Sequence, residues 1–551
     1  MRAAERAPRG TVDRIIHTAS VLAGIAVFQG LQAMTAIAQT PVPVWSYALG
    51  RLETAPESLV VVEIAKNGKF APTEIIVPEP AGGRPRSRPF PLETNLLDML
   101  EPRIFGSEAR AAVSRDGEAL VVRCRAGERP AGVILAAPDF RFPSAMRGEL
   151  VVEGHGLGPF GFTLTATGQD APDSQSTGRT TGVLASVPSD IWPKSPSPRQ
   201  LVMTCPQEAA EASITAIRLS PHGRDDPPKI GTWLWDMRLW LDRPERLVSA
   251  TTQQKIGEIF LQLPIEDDSV VDSAKLRRLI DALSGAGVAV HAVEGDPDMA
   301  SAAGRSNALD RAAALRTFQR ASKGLRSFQY DIEPYPRPDY RADPAAAWRE
   351  WATTINALSA VLGNKIAVVV PFWMLGDAAA EQALQSAGKS IAAIAVMAYR
   401  TDASLIEQIA SDWLDWGADH AVPISIAVEN GPLPAERHRT YVRAERGDLV
   451  LDRSGSSPVA QLVPGSVTGS LTKPTYSYSH EVAVELSRIS FLGNRKAMEA
   501  ATARLNRNLG AWPSFGGMLV HELIGPWGEG MKTRNRSGAG EWNESKNPDL
   551  R

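Results

Sequence analysis

The 551-residue sequence predicts an α/β TIM barrel, (β/α)8, preceded by an all-β sandwich or jelly-roll domain. Two patterns carry this prediction. From residue 227 onward, apolar strand candidates alternate with helical stretches, which is typical of a barrel. Between residues 92 and 226, short β runs alternate with turn residues and no amphipathic helix interrupts them, which is typical of a sandwich or jelly roll.

The chain begins with the features of a secretory signal peptide, predicted at residues 1–38. Arginines form a positive segment, residues 19–28 are apolar, and Ala36-Ile37-Ala38 supplies the small-x-small pattern of a cleavage site. Polar side chains interrupt the apolar stretch, so an uncleaved anchor is the alternative. We therefore expect an exported protein, periplasmic or extracellular. After leader removal no stretch approaches the roughly 18 continuous apolar residues of a membrane span.

Residues 39–91 are expected to form an N-terminal linker or extension with one strand, at 59–65. The all-β region that follows has strand candidates at 119–125, 132–137, 148–153, 161–166, 200–204 and 214–219. This pattern resembles the galactose-binding-like jelly rolls that accompany carbohydrate-active enzymes. The resemblance implies a sugar-facing role for His155 and Trp192, and support of their loops is the alternative.

The cysteines of the sequence are Cys124 and Cys205, both in strand-like apolar runs of the all-β region. An exported chain meets an oxidising compartment, which favours a single disulfide between them. Two buried free thiols fit the same pattern equally well.

The barrel is predicted over residues 227–530, with a polar tail at 531–551. Its strand candidates are 232–237, 256–263, 289–293, 328–332, 366–372, 391–399, 423–428 and 518–523. The helical stretches are 273–283, 309–322, 345–361, 378–387, 405–416 and 495–509. A loop of about fifty residues after strand 7, with a hairpin predicted at 440–452, is long enough to act as a lid or cleft wall.

Barrel enzymes place their chemistry at the C-terminal ends of the strands, and the run Tyr330 to Tyr335 occupies the end of strand 4. Asp331 and Glu333 are two residues apart, so an extended chain projects both carboxyl groups to one face. Their mutual repulsion raises at least one pKa and provides a proton donor near neutral pH. A helix cap or an ion pair with an arginine is the alternative role of Asp331.

Two segments resemble the motifs of family 18 glycoside hydrolases. Asp331-Ile332-Glu333 resembles the end of the D-x-x-D-x-D-x-E motif, and Met397-Ala398-Tyr399-Arg400 resembles the Met-x-Tyr-Asp motif of strand 6. The resemblance implies that Glu333 is the general acid, that Asp331 orients an acetamido group of the substrate, and that Tyr399 assists. Arg400 stands where the family has an aspartate.

Strand 7 ends at Glu429, across the predicted barrel mouth from Glu333. This arrangement resembles the retaining glycosidases of clan A, which carry an acid/base Glu after strand 4 and a nucleophilic Glu after strand 7. The resemblance implies that Glu429 is the nucleophile; a base that activates water is the other role open to it. A structural ion pair of Glu429 with Arg400 or Lys365 is the alternative.

The remaining strand ends supply candidate substrate-binding groups. Aromatic side chains stack on sugar rings, and the sequence contains 13 Trp. The predicted sugar-contacting residues are Trp235, Asp296, Tyr335, Trp373, Arg400, His521 and Glu522. Packing in the barrel core is the alternative for the tryptophans.

These observations predict an exported glycoside hydrolase that acts on a polysaccharide or oligosaccharide and needs no cofactor. The net charge of −3 gives no basic footprint for nucleic acid. A catalytically inactive glycan-binding or envelope scaffold protein is one alternative. A metal-dependent hydrolase is another, because His291, Glu294 and Asp296 join the strand-4 acids as oxygen and nitrogen donors, although no metal-binding spacing is present.

Overall fold

The computed structural model describes residues 45–49, 52, 54–78, 87–166, 178–192, 198–224, 230–455 and 458–522. The predicted signal peptide at 1–38 and the polar tail at 531–551 lie outside the described residues. Among the helices of the described ranges, none has the length and apolar character needed to cross a membrane.

The region before the barrel is built from strands. They are β1 (Ser46–Ala48), β2 (Ser58–Lys66), β3 (Lys69–Ile76), β4 (Arg88–Pro89), β5 (Glu101–Gly106), β6 (Ala111–Asp116), β7 (Ala119–Cys124), β8 (Ala131–Ala136), β9 (Phe140–Arg141), β10 (Gly148–His155), β11 (Gly161–Thr165), β12 (Arg179–Thr180), β13 (Leu184–Pro188), β14 (Gln200–Thr204) and β15 (Ala210–Pro221).

Two antiparallel sheets make up most of this region, with strand orders β12-β13-β10-β15-β7-β6 and β11-β14-β8-β5. In β10 buried residues alternate with partly exposed ones, as expected when one face of a strand packs on a core. A disulfide joins Cys124 at the end of β7 to Cys205 just after β14, with Cα atoms 5.8 Å apart. Of the two alternatives that the sequence left open, the structure therefore has the disulfide, and it links one sheet to the other.

The second half of the chain contains the strands β16 (Ile230–Leu234), β17 (Ile256–Gln262), β18 (Ile265–Glu266), β19 (Ser269–Val270), β20 (Ala289–Glu294), β21 (Leu325–Tyr330), β22 (Ile366–Pro371), β23 (Ile391–Met397), β24 (Ile424–Glu429), β25 (Glu436–Ala444), β26 (Arg446–Asp452), β27 (Val459–Thr468), β28 (Thr475–Ala483) and β29 (Phe515–His521). Its helices are α1 (Arg238–Leu241), α2 (Pro244–Gln253), α3 (Ser273–Gly285), α4 (Ala302–Ala321), α5 (Pro338–Ala342), α6 (Pro344–Leu362), α7 (Ala378–Ala387), α8 (Ala403–His420) and α9 (Arg495–Leu509).

The predicted barrel is confirmed. The strands β16, β17, β20, β21, β22, β23, β24 and β29 form a closed barrel, and each pairs in parallel with its neighbours. We refer to them in this order as barrel strands 1 to 8. Every residue of strand 5 is buried, because side chains point alternately into the barrel and toward the surrounding helices.

Helix α6 shows how the sequence sets the outer layer. Its start is fixed by Asp343, whose side chain accepts a hydrogen bond from the Ala346 N–H at 2.7 Å, and by a proline in the first turn. It ends at Gly363, whose φ of 71° is the left-handed conformation that glycine adopts without strain. Between these ends Trp348 and Trp351 lie on the buried face of the helix.

A seven-stranded sheet combines the start of the described chain with the insertion that follows barrel strand 7, in the order β1-β27-β26-β28-β25-β2-β3. The segment expected to be a linker thus supplies β1, β2 and β3, and β2 pairs with β25 of the insertion that follows barrel strand 7. Leu59, Val61, Tyr441, Leu449 and Tyr476 belong to the separate core of this sheet.

The hairpin predicted at 440–452 is wrong. Strands β25 and β26 follow each other in sequence, but β28 lies between them and pairs with both. Both strands run antiparallel to β28 and therefore in the same direction, so the chain bends at 445 without reversing. The pairing depends on β28, a strand more distant in sequence.

The all-β region is fixed to the barrel through Asp415 of helix α8. The Asp415 carboxylate accepts hydrogen bonds from the backbone N–H groups of Ser144 and Ala145, both at 3.0 Å, and from the Trp512 indole at 2.8 Å. Arg141 forms ion pairs with Asp415, at 3.2 Å, and with Asp412. A buried carboxylate with this many donors holds the two parts of the chain together.

Candidate active site at the mouth of the barrel

The loop after barrel strand 4 is held in place by its backbone. The Asp331 N–H donates to the Glu294 carbonyl at 2.8 Å, and the Trp351 indole donates to the Ile332 carbonyl at 3.0 Å. A Cβ atom on Gly295 would lie 2.4 Å from the Asp331 carbonyl oxygen, so only glycine allows strands 3 and 4 to approach this closely. The predicted carboxyl pair therefore stands on a fixed segment.

Glu333 is 1% exposed, and its two oxygens differ. Oε1 accepts a hydrogen bond from the Tyr335 hydroxyl, whereas Oε2 is buried and has no hydrogen-bond partner among the described residues. Burial raises the pKa of Glu333 well above its usual range, the charge of Asp331 raises it further, and the Tyr335 hydrogen bond acts in the opposite direction. Glu333 therefore keeps its proton to a higher pH than an ordinary glutamate, which suits a proton donor.

Asp331 shares this environment. Burial raises the pKa of Asp331 to about 6, against the opposing charge of His521. Its Oδ1 is a buried atom to which no described residue donates a hydrogen bond. The carboxyl group can therefore change its protonation state within the physiological range.

Tyr335 has a different role from the predicted sugar-binding platform. Its hydroxyl is committed to Glu333, and its ring packs edge-on against Trp373 with centroids 5.3 Å apart. Burial raises the pKa of Tyr335 well above its usual range, and the neighbouring Glu333 adds to this. The phenol thus remains a hydrogen-bond donor to the acid.

Barrel strand 7 places Glu429, which is 3% exposed, at the same mouth. Oε1 accepts from the Gly431 N–H at 2.6 Å, and Oε2 lies 2.7 Å from His521 Nδ1. The ion-pair partner is thus His521 of the adjacent strand 8, which differs from the Arg400 or Lys365 partner considered from the sequence. Both oxygens of Glu429 are held in a fixed orientation.

His521 connects three strands. Its Nε2 lies 3.2 Å from the Trp235 indole nitrogen after strand 1, and its ring stacks on Tyr399, two residues after strand 6, with centroids 6.3 Å apart. Burial disfavours the imidazolium form, but the charge of Glu429 and its hydrogen bond outweigh burial and raise the pKa of His521 to about 9.

Tyr399 lies among the three candidate catalytic carboxyl groups. Burial raises its pKa well above the usual range, and the charges of Glu429, Asp331 and Glu333 act on it in the same direction. The neighbouring Arg400 is 4% exposed, donates from Nη1 to the Tyr399 carbonyl at 2.6 Å, and lies 5.1 Å above the Phe372 ring. Arg400 therefore supports the loops of strands 5 and 6.

Three further polar groups complete the mouth. Burial, with the charges of Glu429 and Asp236, raises the pKa of Glu522 to about 7 against the opposing charge of His521. Trp373 Nε1 and Asn430 Oδ1 are buried atoms for which the described part of the chain provides no partner. Buried polar atoms are normally hydrogen-bonded, so these two, with Glu333 Oε2 and Asp331 Oδ1, are the groups that a polar ligand would bind.

Two residues considered from the sequence have structural roles. Asp296 caps the 3-10 turn Pro297–Ala300 by accepting from the Asp298 N–H at 2.7 Å. His291 lies 2.6 Å from the Ser327 hydroxyl and 3.0 Å from the Glu258 carboxylate, among residues of barrel strands 2, 3 and 4 that precede the strand ends.

The other metal-ligand candidate, Glu294, forms a two-point ion pair with Arg311, at 2.8 and 3.0 Å. Within the described ranges no three His, Cys, Asp or Glu side chains come together as a metal site would require. In the all-β region the Trp192 indole donates to the Val187 carbonyl at 2.9 Å, which is the loop-support alternative.

Sequence reasoning missed several residues that shape the mouth. Gly431 binds Glu429 through its backbone N–H, and a Cβ there would lie 3.0 Å from Glu429 Oε1. Trp351 reaches the strand-4 loop from helix α6. For Gly431 the sequence offers a weak signal, a glycine two residues after a strand-end carboxylate. Nothing in the sequence indicates the role of Trp351.

No protein-family model matches the chain, and no curated protein matches it. Among solved structures, a chitinase from Chromobacterium violaceum matches 54% of this chain and 94% of its own, with 11% identity and a TM-score of 0.31. The spore cortex-lytic enzyme SleL of Bacillus cereus matches 56% of this chain and 74% of its own, with 10% identity and a TM-score of 0.28. The xylan-binding module CBM86 from Roseburia intestinalis matches 22% of this chain and 96% of its own, with 9% identity and a TM-score of 0.17. Likeness at this level carries no argument about activity.

Proposed function

We propose that the chain is a glycoside hydrolase that cleaves a polysaccharide or oligosaccharide at the mouth of its barrel. One observation carries the proposal: Glu333 is buried beside Asp331 with its pKa raised well above the usual range, one of its oxygens is bound by Tyr335, and the other is buried with no hydrogen-bond partner among the described residues. Cleavage of a glycosidic bond requires a carboxylic acid that keeps its proton near neutral pH and can deliver it to the leaving oxygen.

Glu333 delivers its proton from Oε2 to the glycosidic oxygen as the bond from that oxygen to the anomeric carbon breaks. The carboxylate that remains is stabilised by the Tyr335 hydrogen bond, which already points at Oε1. Asp331 keeps the pKa of Glu333 high before the transfer, because a second negative charge nearby disfavours ionisation.

Glu429 acts on the other side of the reacting sugar. As a nucleophile it forms a bond to the anomeric carbon, and water then releases the sugar with Glu333 as base; as a base it removes a proton from the attacking water. The donors Gly431 and His521 fix its orientation in either role. Tyr399, which lies among the carboxyl groups, stabilises the charge that develops at the ring.

The leader pattern at residues 1–38 supports export, which directs the proposal to polysaccharides of the cell envelope or extracellular matrix. Trp235, Trp373 and Glu522 at the mouth, with Asn430, are the groups proposed to contact the sugar or to hold the catalytic side chains.

The test is a screen of the full-length protein against envelope and matrix polysaccharides, with release of reducing ends as the readout. Glu333→Gln keeps the shape but carries no transferable acid proton, and we expect kcat/KM to fall at least about 100-fold with thermal unfolding unchanged. Glu266→Gln, a change of an exposed glutamate in the two-stranded sheet β18-β19 after barrel strand 2, is the matched control and should leave activity unchanged. A Glu333→Gln protein that is as active as the wild type would overturn the assignment. Binding of a glycan without cleavage by the wild type would support the scaffold alternative instead.

A further inference from the structure

The indole of Trp235 is aimed at a histidine rather than left open to solvent. Trp235 follows barrel strand 1, and its Nε1 lies 3.2 Å from Nε2 of His521, at the end of the adjacent strand 8. The opposite nitrogen of the ring, Nδ1, lies 2.7 Å from Glu429 Oε2. A continuous chain of hydrogen bonds therefore runs from Trp235 through His521 to Glu429.

The chemistry of the indole determines which atoms donate and which accept in this series of hydrogen bonds. An indole N–H only donates, so its partner nitrogen must carry no proton. In the neutral ring that leaves the proton on Nδ1, where it is donated to Glu429. If Nε2 were protonated, two donors would face each other at 3.2 Å, and the Trp235 contact would be lost.

The groups around His521 act in opposite senses. Glu429, Glu522 and Asp331 carry charges that favour the imidazolium, while burial opposes it. Tyr399 stacks on the ring and fixes its plane. The Trp235 N–H is a donor that favours an unprotonated Nε2, and it thereby counteracts the three carboxylates.

We propose that Trp235 is a positioning residue: its N–H opposes the imidazolium form that the three carboxylates favour, and whenever the His521 ring is neutral it holds the ring in the tautomer that donates from Nδ1 to Glu429 and so fixes the orientation of the Glu429 carboxylate. This inference rests on the proposed function for its catalytic consequence, but not for its structural content. The sequence predicts that Trp235 stacks its ring face on a sugar. The positioning role depends instead on its indole N–H.

Trp235→Phe separates the two roles, since it keeps an aromatic face and removes only the donor. Histidine is labelled with 15N in the full chain, and the His521 signals are identified by their absence in His521→Asn. In the wild type we expect the neutral ring to be protonated at Nδ1. In Trp235→Phe we expect the midpoint of His521 protonation to move up by about one pH unit, the shift expected when a hydrogen bond that favours one protonation state is removed.

Trp373→Phe is the matched control. It removes another indole N–H at the mouth, but the described contacts of Trp373 are with Tyr335 and Trp348, so the His521 signals should not move. A folded Trp235→Phe protein with unchanged His521 tautomer and midpoint would overturn the proposal. Should this variant not fold, the wild type still decides: one indole N–H signal must follow the His521 titration, and the absence of such a signal contradicts the proposal.

Kinetics on a glycan that the protein cleaves add the catalytic consequence. As a positioning residue, Trp235 should alter kcat and the pH dependence in Trp235→Phe while KM changes little; a raised KM with an unchanged pH profile would assign it to sugar stacking instead. The two proposals fail separately. If no glycan is cleaved while the NMR shift is observed, the proposed function fails and the tautomer assignment stands.

Discussion

Replacing Asp331 by asparagine removes one charge from the barrel mouth and keeps the shape. Glu333 owes part of its raised pKa to the charge of Asp331, after burial. In Asp331→Asn the pKa of Glu333 must therefore fall, and the proton donor is lost at a lower pH. The basic limb of the profile of kcat/KM against pH should move down accordingly.

The size of this shift follows from the spacing of the two residues. Carboxyl groups two residues apart on an extended chain are ~6 Å apart, where two charges interact by about 3 kcal/mol at an effective dielectric constant of ~20. This energy corresponds to a shift of about two pH units. The pKa of Asp331 is raised to about 6, so Asp331 is charged only above that pH. The full effect of its charge on the pKa of Glu333 therefore applies to the neutral and basic part of the profile.

The assay is initial-rate kinetics on a cleaved glycan across the pH range, with Asp296→Asn as control. Asp296 is one strand away and caps a 3-10 turn, so its removal should leave the basic limb in place. A basic limb that does not move in Asp331→Asn would refute the reasoning, because the acid responsible would then not experience the charge of Asp331.

Three further predictions test other parts of the structure. Tyr335→Phe removes the hydrogen bond that lowers the pKa of Glu333, so the basic limb should move to higher pH, opposite to the change above, and kcat/KM should fall about 10-fold or more, measured by the same kinetics. Asp415→Ala leaves three hydrogen-bond donors and Arg141 without their carboxylate, so it should lower the free energy of unfolding by about 3 kcal/mol or more in denaturant titrations. Asp412→Ala is the control: this side chain is 43% exposed, and its loss should lower the free energy of unfolding by less than about 1 kcal/mol. Reducing the disulfide opens a loop with a sequence separation of 81 residues and should lower the free energy of unfolding of the all-β region by about 2–5 kcal/mol, which thermal melting shows as a lower melting temperature. An unchanged melting curve would show that the disulfide does not stabilise this region.

The barrel could be predicted because strands that are buried on both faces have a recognisably apolar sequence. Strand 5 reads as a continuous apolar run and is buried at every residue. The acids Asp331, Glu333 and Glu429 could be selected because each lies at the end of a strand candidate or within three residues after it, and parallel pairing brings these ends to one rim. Local pattern and barrel geometry were sufficient for these features.

Contacts between distant segments could not be predicted. Strand β2 pairs with β25, so that Val62 lies opposite His438, and no local signal marks this partner. The ion pair of Glu429 with His521 depends on the last strand closing the barrel against strand 7. The position of the Tyr335 hydroxyl on Glu333 depends on side-chain conformation, which neither periodicity nor composition specifies.

The protonation state of Glu333 tests the account most directly. It can be measured without a substrate from the infrared carbonyl band of protonated carboxyl groups, as the difference between the wild type and Glu333→Gln over a pH titration. We predict that a band absent from Glu333→Gln persists through neutral pH, and that in Asp331→Asn it is lost at a lower pH. A Glu333 that loses its proton near the ordinary pKa of a glutamate would contradict the account, since the barrel mouth would then hold no acid able to protonate a glycosidic oxygen.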